Sequence, residues 1–172
     1  MDAIAEQSEG LTTFFESYRV LSRIPDPVSK EFRVCTLLEK LEILVSSNEE
    51  NAGIQFSFPC ENPAMTLLAD EQMIHNVLLN LVKNASQAVQ EVLSPAVSVS
   101  AIHNEAQIII EVADNGHGIP AEIADEIFMP FFTTRQKGTG VGLSYSRQVM
   151  NINGGRMEYN SVPGHTIFRL VF

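Results

Sequence analysis

The chain has 172 residues, is 45% hydrophobic and carries a formal net charge of -10. That length and apolar content suit one globular domain with room for a short appendage, while the negative field argues against non-specific binding to nucleic acid or an anionic membrane surface. No apolar run approaches the roughly 18 residues of a membrane helix, and no signal peptide is visible. Cys35 and Cys60 have neither metal-site nor CxxC spacing, so two reduced, buried thiols in a cytoplasmic protein are expected.

In chain order, Leu11, Phe14, Phe15, Tyr18 and Leu21 recur at helical spacing before "IPDP" stops the helix. "EFRVCTLLEKLEILVSSNEENAG" reads as a short strand running into a helix that ends near Gly53, and "IQFSF" alternates like a strand. Asp70 is a plausible N-cap for a long helix reaching about residue 92. "AVSVSAIHN" and "QIIIEVADNG" form a strand pair across a polar turn at residues 103–106, and a loop-rich stretch covers 115–140. A helix from Val141 to about Ile152 and two closing strands in "RMEYNSVPGHTIFRLVF" complete the chain. Hairpins and crossovers together predict a layered α/β (α+β) sandwich with a mixed sheet.

Three stretches carry chemistry. On the long helix, Ile74, Val77, Leu78, Leu81, Val82, Ala85, Ala88 and Val89 form one apolar stripe. Asn76, Asn80 and Asn84 recur at i, i+4, i+8 on a different face. Asparagine is a mediocre helix former, so three stacked amides suggest either a ligand or a set of solvated amides. In "VADNGHGIP", Asp114 closes an apolar strand beside Asn115, Gly116 and Gly118. Such a carboxylate can accept a hydrogen bond from an amine in a crevice, although a D-N-G turn needs no ligand. In "GTGVGLSYS", a P-loop fails because the residue five after Gly138 is Leu143, with no Gly-Lys pair following. A dinucleotide fingerprint fails as well, its third glycine falling on Leu143 or Tyr145. There remains G-x-G-x-G-L opening a helix, whose free N–H groups favour an anion, or a simple glycine-rich surface turn.

Taken as an ordered set, these stretches resemble the ATP-binding domain of sensor histidine kinases, in the superfamily shared with gyrase, the Hsp90 chaperones and MutL. "NVLLNLVKNA" is similar to that family's N box, "DNGHGI" to its first glycine box and "IFMPFFTTR" to its F box. "GTGVGL" is similar to the second glycine box and "GHT" at 164–166 to the last. The resemblance covers about residues 30–172 and implies the Bergerat fold: a two-layer sandwich with helices on one face of a mixed sheet and a loop-rich ATP lid. It implies that Asp114 accepts the adenine amino group and that Asn84 is the Mg²⁺ ligand, with Asn80 one turn earlier facing the same metal–phosphate region. Gly138, Gly140 and Gly142 would offer N–H groups to the phosphates. Gly116, Gly118, Ile119, Phe132, Thr133, Thr134, Thr139, Val141, Leu143 and Thr166 would line the nucleotide. Lys83, Arg135 and Lys137 are candidate cations, each equally readable as a solvated surface charge. Phe128, Phe131 and Phe132 would anchor the lid, with Thr133 and Thr134 on its hinge side.

ATPase members of the superfamily carry a glutamate four residues before the metal-binding asparagine, where a general base can activate water. Here that position is Asn80, which takes no proton at neutral pH and favours transfer to a histidine over hydrolysis or transfer to serine. None of His75, His103, His117 and His165 lies in the family's phosphoacceptor context. Residues 1–27, through "FFESYRVLSRIPDP", resemble the end of the second helix of the dimerisation and phosphotransfer hairpin, leaving 28–172 as the catalytic domain. The expectation is a fragment of a longer kinase whose partners are ATP, its own dimerisation domain and the receiver domain of a response regulator, with no direct membrane contact from this chain. It would lie in the cytoplasm, the parent kinase being open to membrane anchoring elsewhere. Two alternatives stay open: a self-standing ATPase or chaperone-like module of the same superfamily, and a regulatory module with a degenerate nucleotide site.

Overall fold

The computed structural model describes residues 24–104, 107–135 and 138–172. The helix expected over 11–24 and the cation expected at Lys137 lie outside the described residues, save for Ile24 at the helix's end.

Strand β1 (Lys30–Arg33) runs directly into helix α1 (Val34–Ser46), as "EFRVCTLLEK" suggested. The helix stops at Ser46 rather than near Gly53. Residues 49–51 form a separate helical turn, started by the Asn48 side chain accepting from the Glu50 N–H at 3.0 Å. Strand β2 (Gln55–Ser57) follows. The sequence reading missed strand β3 (Thr66–Ala69), which pairs antiparallel with β1. Four residues between Pro63 and Asp70 are too few to show a period of their own, and the pairing partner lies over 30 residues away.

Helix α2 (Glu71–Ala88) starts as expected: Asp70 Oδ1 accepts the Met73 N–H at 3.0 Å. Asp70 Oδ2 accepts the Val28 N–H at 2.8 Å, and these backbone bonds, Val28's above all, hold its carboxyl below the usual range. The helix ends at Ala88, short of residue 92, and a turn closed by Val92 N–H to the Val89 carbonyl at 3.0 Å takes over. Its apolar stripe is buried as read, with Ile74, Leu78 and Leu81 among the largest fully enclosed side chains.

Strands β4 (Ala96–Asn104), β5 (Gln107–Asp114), β6 (Arg156–Val162) and β7 (His165–Val171) join β2 in a five-stranded sheet of order β2-β4-β5-β7-β6. Only β2–β4 is parallel, so the sheet is mixed. Helix α3 (Gly142–Ile152) packs beside α2, and all three helices cover one face of the sheet. Val97, Val99 and Ala101 of β4 and Ile110 and Val112 of β5 meet them. Alternate residues, Ser98 and Ser100 among them, face away. Asn153, just past α3, accepts the Asp70 N–H on its Oδ1 at 2.8 Å. The end of α3 is thereby tied to the start of α2, and the two helices run antiparallel.

The cysteines overturn the expectation of two reduced thiols. Cys35, at the start of α1, and Cys60, between β2 and β3, form a disulfide with Cα atoms 5.6 Å apart. Spacing could not reveal this partnership across 25 residues. The fold makes it, because Cys60 bridges to Ala101 of β4 and so lies over the start of α1.

Candidate functional site

The site lies where the C-terminal half of α2, the end of β5 and the start of α3 come together. Asp114 closes β5, with Thr166 of β7 opposite it. The carboxylate is buried, and its Oδ1 accepts the Gly116 N–H at 2.9 Å. Burial pushes its pKa up; the Gly116 hydrogen bond and the charges of His117 and His165 pull the other way. A buried carboxyl group with one oxygen engaged leaves the other able to accept from a ligand.

The loop after Asp114 is pinned rather than loose. Asn115 Oδ1 accepts the Ala96 N–H at 2.9 Å, and its Nδ2 donates to the Ser94 carbonyl at 2.8 Å. Gly116 is buried against Ala88 at the end of α2, which brings Asp114 and the Asn84 end of the helix to one corner. Gly118 lies against the Val162 carbonyl, and the Ile119 N–H donates to Ser161 Oγ at 2.8 Å. Ser161 Oγ shares a 2.9 Å hydrogen bond with Thr166 Oγ1, so Ile119 and the buried Thr166 belong to one network.

The three stacked amides of α2 have three different partners. Asn76 is exposed and accepts from Gln72 Nε2 at 3.1 Å. Asn80 Nδ2 donates to Ser146 Oγ on α3 at 3.0 Å. Asn84 Oδ1 accepts from Arg135 Nη1 at 2.7 Å, while Arg135 Nη2 donates to the Asn84 carbonyl at 3.3 Å. Arg135 Nη1 also donates to Gln87 Oε1. Of the three candidate cations, the fold thus brings Arg135 to Asn84, while Lys83 is exposed on α2. The amide oxygen of Asn84 already attracts a positive charge.

The stretch 120–141 covers this corner. Phe128 anchors it, its ring edge-on to Tyr159 at 5.7 Å and capped by the Arg147 guanidinium at 4.7 Å. Phe132 is half-buried, whereas Phe131 is 37% exposed and has a φ of 69°. Its N–H donates to the Gly140 carbonyl at 2.9 Å. Gly140 has a φ of 67° and lies on the Phe131–Phe132 backbone, a place that no side chain can share. Thr133 Oγ1 accepts the Arg135 N–H at 3.1 Å, and the Gly138 N–H donates to the Arg135 carbonyl at 3.2 Å. Thr134 and Thr139 are exposed. Val141 is buried, and Leu143 packs partly against the core. Helix α3 starts at Gly142 without a capping side chain, and its first backbone bond runs from the Tyr145 N–H to the Val141 carbonyl at 2.9 Å. The N–H groups of its first turn therefore have no capping side chain, and Asn80 of α2 lies against Gly142 at that end.

Sequence reasoning missed Gln87, Ser146 and Ser161. Gln87 follows Asn84 by one helical turn, a spacing that shares a face, and could have been read as its companion. Ser146 and Ser161 act through partners 66 and 42 residues away, for which the sequence carries no local signal.

Residues 69–172, more than half of the chain, match the family described as histidine kinase-, DNA gyrase B- and HSP90-like ATPase. The chain belongs to this ATPase family. Sensor histidine kinases are among its relatives. The nitrogen regulation protein NtrY of Azorhizobium caulinodans is 28% identical over 94% of this chain and 21% of its own length. The sensor histidine kinase ZraS of Escherichia coli is 36% identical over 75% of this chain and 27% of its own. The catalytic domain of histidine kinase ThkA has the same fold, with a TM-score of 0.75 at 29% identity over 84% of this chain and 94% of that one. ThkA in complex with the response regulator TrrA gives 0.79 at 25% identity, over 99% of this chain and 49% of that one. This ATPase domain thus has the architecture of a histidine kinase catalytic domain, and it spans only a minor part of the curated relatives' length. Among the described residues no helix is long and apolar enough to cross a membrane.

Proposed function

We propose that this domain binds Mg-ATP and presents the γ-phosphoryl group to a histidine on a dimerisation domain of the same kinase. The observation that carries the reading is the convergence of a buried carboxylate, an oxygen that attracts a cation and an uncapped helix start at one corner.

Asp114 would accept the adenine amino N–H on its free oxygen, in a crevice floored by Gly116, Gly118, Ile119 and Thr166. The first turn of α3 and the glycines at 138, 140 and 142 would hold the phosphates through backbone N–H groups and the helix dipole. Asn84 fits a hard cation, since a neutral amide oxygen suits magnesium and this one already holds the positive Arg135. No group of three His, Cys, Asp or Glu among the described residues could hold a metal alone, so phosphate oxygens would supply the other ligands. When bound, magnesium would neutralise charge building on the transferred phosphoryl group. For a cation to reach Asn84 Oδ1, Arg135 must yield that oxygen, and the phosphates are the anions nearest to receive its charge.

Asn80 cannot take a proton from water at neutral pH and already has a protein partner, which favours transfer to an imidazole over hydrolysis. The acceptor histidine would belong to a dimerisation domain of the same kinase, and the phosphoryl group would pass on to the receiver domain of a response regulator. The complex of ThkA with the response regulator TrrA supports a partner of that kind.

Incubation with γ-labelled ATP and Mg²⁺ tests the reading, following bound nucleotide and protein-bound label together. Nucleotide bound without label on the chain is the expected result. An acid-labile label on the chain would mean that one of its own histidines is an acceptor, and steady release of phosphate, abolished in Asn84→Ala, would make it an ATPase.

A further inference from the structure

Asn80 lies between the two helices that form the corner. Its Nδ2 donates to Ser146 Oγ at 3.0 Å, and Ser146 is completely buried. Its Oδ1 lies against Gly142, the first residue of α3, where any Cβ would fall on that oxygen. Gly142 and Ser146 are one helical turn apart, so a single amide touches the first and second turns of α3 on the same face. Asn84 follows Asn80 by one turn on α2. We infer that Asn80 is a positioning residue, a brace that sets the distance between Asn84 and the uncapped start of α3, rather than a ligand of metal or phosphate. The inference rests on the nucleotide reading above and adds to it a residue that acts through α3.

The chemistry of the pair explains the residue type. The neutral amide donates to the buried Ser146 Oγ without bringing a charge; a carboxylate could only accept from that hydroxyl and would carry a charge into a buried place. Glutamine would push a further methylene towards Gly142, and alanine would leave Ser146 Oγ without this donor. At its other end α3 is tied to α2 by Asn153 and Asp70. With that end fixed, losing the Asn80 brace lets the helix swing at its N-terminus, where the phosphates would bind.

The test uses the full chain, with ATP titrated in excess Mg²⁺ and again in EDTA, and with thermal unfolding. Asn80→Ala and Ser146→Ala are expected to weaken ATP binding by the same factor, about tenfold for one buried hydrogen bond. The factor should be equal with and without Mg²⁺, and the double variant should lose no more than either single one. Gly142→Ala should lower the unfolding temperature, and adding Asn80→Ala should restore part of that loss by removing the oxygen in the way. A loss for Asn80→Ala that vanishes in EDTA, beside a neutral Ser146→Ala, would make Asn80 a metal ligand and overturn the brace. Additive losses, or no rescue of Gly142→Ala, would overturn it too. A wild-type chain that binds no ATP would sink the nucleotide reading, while the unfolding arm would still decide the brace.

Discussion

Asp114 and Asn84 stand on a strand and a helix whose other residues form the core, whereas Thr133, Arg135 and Gly138 stand on a stretch held by side-chain and turn hydrogen bonds. The first pair cannot move without disturbing Ile74, Leu78, Val112 and Ile110, all of them buried. The second group moves by breaking a few exposed bonds, and Phe131 on the same stretch already holds an unfavourable positive φ. A domain that must admit a nucleotide and later release it needs this division. In the proposed reading the body would fix where the base and the metal go, and the lid would supply a boundary that opens at low cost.

The largest expected effect falls on the body. Asp114→Ala removes the acceptor at the base of the crevice, and a hydrogen bond to a charged group is worth about 1.5–3 kcal/mol, so ATP binding should weaken on the order of 100-fold. The fold should stay intact by circular dichroism, since among the described residues the carboxylate accepts one hydrogen bond, from the Gly116 N–H. Affinity within threefold of wild type would move the base elsewhere. Asn84→Ala should follow with a loss of about tenfold, the amount of one amide ligand. That loss should appear in Mg²⁺ and shrink in EDTA, the opposite of the pattern expected of Asn80.

A third test uses pH to separate stability from binding in the body. Burial raises the Asp114 pKa in the fold above its unfolded value of 3.8. Between the two values the native chain binds more protons than the unfolded one, so stability falls as pH rises through the folded value. Asp114→Asn should therefore be more stable than wild type at neutral pH while binding ATP more weakly. The advantage should fade as pH drops below the ordinary carboxylate range. Thermal unfolding of both proteins across pH measures it, and an advantage that persists at low pH would assign the gain to packing instead.

The same division decides what the sequence could reveal. The stripe of α2, the Asp70 cap and the strand end at Asp114 are periodic or local signals, and each is where the reading put it. The glycine boxes are legible for the same reason, as close backbone approach admits few other residues. Strand β3 is not legible, because four residues acquire their identity only from pairing with β1. The disulfide, the Asn80–Ser146 bond and the contact of Arg135 with Asn84 and Gln87 join residues 25 to 66 positions apart. Asn76, Asn80 and Asn84 look equivalent by spacing, yet solvent, α3 and the lid each claim one of them.

The smallest effect belongs to Arg135, and it bears most directly on the comparison. Its guanidinium ties the lid to α2 through Asn84 and Gln87. The pair is open to solvent, where such contacts contribute about 0–1 kcal/mol. Arg135→Ala should therefore leave the unfolding temperature within a degree or two, since the core that melts does not include the lid. Amide exchange over residues 129–140 should nevertheless speed up, because local opening of the lid no longer breaks those bonds. If the unfolding temperature fell by many degrees, the lid would be melting with the body, and the separation of a fixed half from a yielding half would fail. If exchange were unchanged, Phe128 on Tyr159 would be holding the lid alone, and Phe128→Ala would become the variant that frees it.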